Sequence, residues 1–152
     1  MCLHRRQKEL DMPVVAGIDD SPVSRLVIDK ALEQARWRET ELKLVHVFHL
    51  PLVYPEAAID WSDVADAQRS AVWAVAEEAL AGSDVTVERV DLDSYPPDAL
   101  VAYAAEADAS LLVVGTRGRG EFASLILGST SHRAIHIAPC DVLVVKAGET
   151  AA

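Results

Sequence analysis

Five short apolar runs along the chain alternate with longer stretches of helical spacing. Val14-Val15-Ala16-Gly17-Ile18, Leu42 to Phe48, Leu111 to Val114 and Val142 to Lys146 are strand-length and rich in aliphatic and β-branched residues, and Val85 to Leu92 alternates apolar with polar. Continuous runs of the first kind suit strands buried on both faces. Between them, Leu26, Val27, Ala31 and Ala35 recur at helical spacing behind Ser21-Pro22, an N-cap with proline at the first helical position. Val64, Ala67, Ala71, Val72, Val75, Ala79 and Leu80 draw the apolar stripe of a long helix begun by Ser62-Asp63 and ended by Gly82. A third helix is predicted from the Asp93-Ser94-Tyr95-Pro96-Pro97 turn to Ala107, and a fourth from Ser129 to Ala138, where Pro139 stops it. The order βαβαβαβαβ predicts an α/β fold, a doubly wound parallel five-stranded sheet with helices on both faces.

Composition narrows this to one domain, taken as residues 12–148 of the 152. Residues 1–11 have no periodicity, and Met12-Pro13 reads as a second start, so they are expected to be a flexible extension. No apolar run approaches a membrane span, and MCLHRRQKEL lacks the apolar segment of a signal peptide, so the expected location is cytoplasmic. Cys2 and Cys140 are then expected as reduced thiols. A formal charge of −10 disfavours nucleic acid and anionic lipid as partners, so an anionic ligand must be held locally.

The stretch that offers such a hold is LLVVGTRGRGEFASLILGSTS, Leu111 to Ser131. A buried strand emptying into glycines and hydroxyls ahead of a helix presents backbone N–H groups to phosphate. Three spacings compete. The Walker pattern fails because Glu121 follows Gly120 where a lysine is required. A literal G-x-G-x-x-A at Gly118 to Ala123 starts three residues beyond Gly115, and its acidic partner would be Asp141, which precedes a strand rather than ending one. The third spacing is Gly115-x2-Gly118-x9-Gly128-Ser129, which resembles the nucleotide signature of the universal stress protein family. VVAGIDDSP and LVHV resemble the first and second strands of that family, with Asp20 where glycine is common and Tyr95-Pro96-Pro97 where a glycine often stands.

The resemblance runs from Met12 to Lys146 and implies a single-domain, ATP-binding member with strand order 3-2-1-4-5. It implies that Asp19 and Gly115 meet ribose, that Gly17 and Val47 flank adenine through the main chain, and that Val114 lines the base or ribose side. Gly118, Gly128, Ser129 and Thr130 would hold the triphosphate of ATP, with or without Mg, and Arg117 or Arg119 would screen its charge. It also implies a homodimer through the edge strand Val142 to Val145. Asp19 keeps two readings, a helix-capping carboxylate or a ribose acceptor. His46 reads as a packed histidine with one satisfied nitrogen rather than a base or ligand. His49 to Trp61 is a lid or a variable connection. No kinase-like, Walker B-like or clustered His/Cys motif supplies a catalytic or metal set, so a nucleotide-dependent regulatory module is favoured over a slow ATPase or autokinase. An interaction module that no longer binds nucleotide is the other alternative.

Overall fold

The computed structural model describes residues 12–49, 61–116 and 127–146. In chain order the elements are β1 (Val14–Ile18), α1 (Ser24–Arg38), β2 (Leu42–Phe48), α2 (Trp61–Leu80), β3 (Val87–Asp93), α3 (Pro96–Glu106), β4 (Leu111–Gly115), α4 (Ser129–Ile137) and β5 (Asp141–Val145). The strands form one parallel sheet in the order β3-β2-β1-β4-β5. β1 sits at its centre, where Val14 lies opposite Leu42 on one side and Leu111 on the other.

Strand alternation sorts the apolar residues into two cores, one on each face. Val14, Ala16, Leu42, Leu44, Leu111 and Val113 pack against Val27, Ile28, Ala31 and Ala35 of α1 and Val72 and Ala76 of α2. Val15, Val45, Leu112 and Val114 pack against Leu100, Val101 and Ala104 of α3 and Ala134 of α4. Burial of each such Val or Leu contributes about 1.5–3 kcal/mol. Both faces being covered explains why these strands read as unbroken apolar runs.

Several local expectations shift. Ser21 does not cap α1: Ser21-Pro22-Val23 forms a turn closed by Ser24 N–H to the Ser21 carbonyl at 3.1 Å, and the helix begins at Ser24. Leu26 is exposed, and Ile28 and Leu32 join Val27, Ala31 and Ala35 in the core instead. Ser62 and Asp63 lie inside the first turn of α2, which starts at Trp61. The buried face of α2 is Ala65, Val72, Ala76 and Ala79, while Val64, Ala67, Ala71 and Val75 face outward. In so alanine-rich a helix several stripes fit nearly equally; Trp73 helps fix the rotation, packing against the core while its indole N–H reaches Asp91 Oδ2 at 3.0 Å. β3 begins two residues later than the alternation suggested, at Val87.

The two sheet edges differ. β3 is an edge strand carrying Glu88, Arg89, Asp91 and Asp93, charges of the kind that blunt an edge against pairing. β5, the opposite edge, is Asp-Val-Leu-Val-Val with its charge confined to the first residue. No helix among the described residues is long and apolar enough to cross a membrane.

Candidate functional site

The strand order reverses between β1 and β4, since β1 is followed outward by β2 while β4 leads to β5. At the C-terminal ends of these strands lies a cavity of 470 Å³, within the ~300–1,000 Å³ typical of small-molecule sites. Gly17, Asp19, Val47, Val114, Gly115, Gly128, Ser129 and Thr130, all singled out from the sequence, line it together. Arg117 and Gly118 lie outside the described residues, as do Arg119 and most of the loop from His49 to Trp61.

Asp19 is held by the chain that follows it. Its Oδ1 accepts from the Ser21 N–H at 2.9 Å and from the Ser24 hydroxyl at 3.0 Å, and its own N–H donates to Ser24 Oγ at 2.9 Å. The carboxylate therefore braces the turn that leads into α1 rather than capping the helix, whose N-cap is Val23 with no side-chain cap, and both of these bonds fall on Oδ1. Ser24 is 3% exposed, so the clamp orients Asp19 from beneath, at the cavity wall.

On the far side, β4 hands the chain to α4. The Thr116 N–H donates to the Val145 carbonyl at 2.9 Å, and the Thr116 carbonyl accepts the Gly128 N–H. The buried Ser131 hydroxyl donates to the Gly128 carbonyl at 3.0 Å and lies 3.4 Å from that of Thr116, tying the helix start to the strand end. The N-cap of α4 is Gly128 itself, extended at φ −74°, with no side-chain cap. The first intrahelical bond is His132 N–H to the Gly128 carbonyl, 3.0 Å. The N–H groups of Ser129, Thr130 and Ser131 precede it and form the positive end of the helix at the cavity.

The remaining wall was legible only as connections, His49 as the start of a lid or variable connection and Tyr95-Pro96-Pro97 as a turn. Tyr95, Pro96, Pro97 and Leu100 close one side, and His49 and Gln68 another. Tyr95 and His49 meet edge to face with ring centres 5.8 Å apart. Tyr95-Pro96-Pro97 carried a turn signal only, and its place at the cavity depends on how α3 crosses back over the sheet. His46 is 1% exposed with Nδ1 3.0 Å from Asp91 Oδ1, the packed histidine expected, yet it also borders the cavity. Asp91 is its register partner on β3. Asp20 lines the cavity as well. Among the described residues no group of three or more His, Cys, Asp or Glu is placed to hold a metal ion.

A sequence model of the universal stress protein family matches residues 12–146. A universal stress protein of Mycobacterium tuberculosis is 38% identical over 139 residues, covering 88% of this chain and 45% of that protein. One of Mycolicibacterium smegmatis is 34% identical over 140 residues, covering 89% and 46%. The chain thus spans about half the length of these curated relatives. Among solved structures, a universal stress protein of Archaeoglobus fulgidus superposes with a TM-score of 0.71 at 26% identity, covering 92% of this chain and 97% of that one. A universal stress protein in complex with cAMP superposes at 0.66 with 26% identity, covering 90% and 98%. With nearly its whole length matched by one family model and its fold shared with solved members, the chain belongs to the universal stress protein family.

Proposed function

We propose that this chain binds an adenine nucleotide, ATP, in the cavity at the β1–β4 reversal and works as a nucleotide-dependent stress-response or regulatory module. The observation that carries this reading is the convergence of Asp19, Gly115 and the Gly128–Ser131 helix start on one cavity. A carboxylate anchored through Oδ1 suits ribose hydroxyl donors, and free N–H groups at a helix start suit phosphate. The volume fits a nucleotide, and the cAMP complex of a relative supports the adenine class. In this reading Asp19 and Gly115 take the ribose, and main-chain groups at Gly17 and Val47 flank the base. Val114 lines the cleft, while Gly118, Gly128, Ser129 and Thr130 hold the phosphates and Arg117 or Arg119 screens their charge. Mg would enter with the triphosphate. Binding alone, without turnover, accounts for this arrangement.

Calorimetry with ATP, GTP and cAMP tests it. Micromolar ATP binding, about 7–9 kcal/mol, with ATP preferred over GTP, is the expected result. Absence of binding by all three nucleotides, with none released on heat denaturation of the purified protein, would favour the interaction module instead.

We further propose a homodimer through β5, supported by the contrast between its apolar sequence and the charged edge of β3.

A further inference from the structure

We propose that His132 and His136 form a two-imidazole site for a divalent transition cation on the outer face of α4. The two residues stand at i and i+4 within Ser129–Ile137, one turn apart on the same helix face, and both are exposed. Their ring centres are 4.6 Å apart. Among the described residues neither ring has a hydrogen bond or ion pair, so their nitrogens are not committed to holding the fold. Neither histidine borders the nucleotide cavity, and the inference is independent of what that cavity binds.

The separation suits chelation. A metal about 2.0–2.1 Å from each imidazole nitrogen, with the ring centre roughly 1.1 Å farther out and a nitrogen–metal–nitrogen angle near 90–110°, puts the centres about 4.5–5.2 Å apart. The observed spacing falls in that interval with the ring planes tilted by 54°, so the two rings are near enough for side-chain rotation to turn a nitrogen of each toward one cation. The charge surroundings permit it. Arg133, the one cation beside the pair in sequence, is directed to α3, where its Nε meets Asp98 Oδ1 at 2.8 Å. The chain as a whole carries a formal charge of −10. Nitrogen ligands select Zn, Ni or Cu(II) over Mg or Ca, which prefer oxygen. With two protein ligands, water or groups from another molecule complete the coordination, making the site open and exchangeable. A cation there would link successive turns of α4, whose first turn lines the cavity.

The test uses the untagged full chain titrated with NiCl2 and, separately, MgCl2. Nickel is expected to bind and to raise the melting temperature, and magnesium to do neither. His132→Ala and His136→Ala each replace an exposed side chain by a strong helix former, so both variants should fold, as circular dichroism will verify. Each should weaken nickel binding by at least the roughly 10–100-fold that even outer-shell changes cost a metal site. His49→Ala should leave it unchanged. Wild-type nickel affinity in either single variant, or no nickel binding by the wild type, overturns the proposal. Imidazole NMR signals of the wild type give a reading that needs no variant: resonances of His132 and His136 must shift together on adding Zn, and a shift confined to other histidines overturns it equally.

Discussion

Leu100 of α3 lies so close to Gly17 of β1 that a Cβ at position 17 would stand 2.5 Å from Leu100 Cδ2. Gly17 thus lets a helix side chain reach down onto the central strand at the floor of the cavity, a structural role beside the base-flanking one proposed for it. Leu100 is 2% exposed, so its Cδ2 has to shift among packed neighbours to admit a Cβ. Gly17→Ala should therefore cost about 1–3 kcal/mol by overpacking. Adding Leu100→Ala to it should cost less than the two single changes summed, with a coupling of about 0.5–3 kcal/mol. Urea unfolding of the four proteins measures this; additive costs would mean that the contact does not constrain the pair.

Asp19 serves the fold through Oδ1 and, as proposed, the ligand through its carboxylate charge, and two substitutions separate these. Asp19→Asn retains an oxygen that can accept from Ser21 and Ser24, so stability should change little while ribose loses a charged acceptor. Asp19→Ala removes the acceptor altogether and should cost about 1 kcal/mol or more in stability. ATP affinity is expected to fall about tenfold or more in both, since a hydrogen bond to a charged group contributes about 1.5–3 kcal/mol. An asparagine variant with wild-type affinity would reduce Asp19 to a brace of the turn before α1.

The sheet and its crossovers were legible because five strand-length runs separated by helix-length stretches leave few alternatives, and Gly115 and Gly128 marked where the cavity opens. Strand order was not legible from periodicity, since no residue of β1 announces which neighbours flank it. It came from the resemblance and agrees with the observed order. Rotation of α2 was lost for a related reason: with alanine at so many positions, burial depends on what faces the helix, here the sheet and Asp91. That Tyr95 and His49 meet at the cavity was not legible because they come from different connections, 46 positions apart in sequence. Ser21 misled because the chain makes a further turn, Ser24 N–H to the Ser21 carbonyl, before the helix begins, which leaves Val23 and not Ser21 at the N-cap.

Gly128 allows a clean test of phosphate binding. Its backbone is extended, open to any residue, and it occupies the N-cap position of α4, where aspartate is among the favoured residues. Gly128→Asp should then leave thermal stability equal or higher while placing a carboxylate at the cavity. ATP binding should be lost. A folded variant that still binds ATP with wild-type affinity would remove the phosphate from this end of the cavity.

The dimer can be tested through the backbone of β5. The Val145 carbonyl accepts from Thr116, so the polar groups of Val145 point toward β4. By strand alternation those of Val144 and Val142 point outward, to the open edge. Proline is tolerated on an edge strand where its missing N–H would have faced solvent. Val144→Pro should therefore cost no bond of the β4–β5 ladder yet deprive a second copy of a donor in the middle of the strand. Val144 also packs against the core shared with α3 and α4, so Val144→Lys, which adds a charge there, is a harsher probe than the apolar proline ring. Light scattering should show a dimer for the wild type and a monomer for Val144→Pro at equal concentration, with circular dichroism unchanged. If the folded proline variant and the wild type run at the same mass, whether as monomer or dimer, β5 does not form the interface.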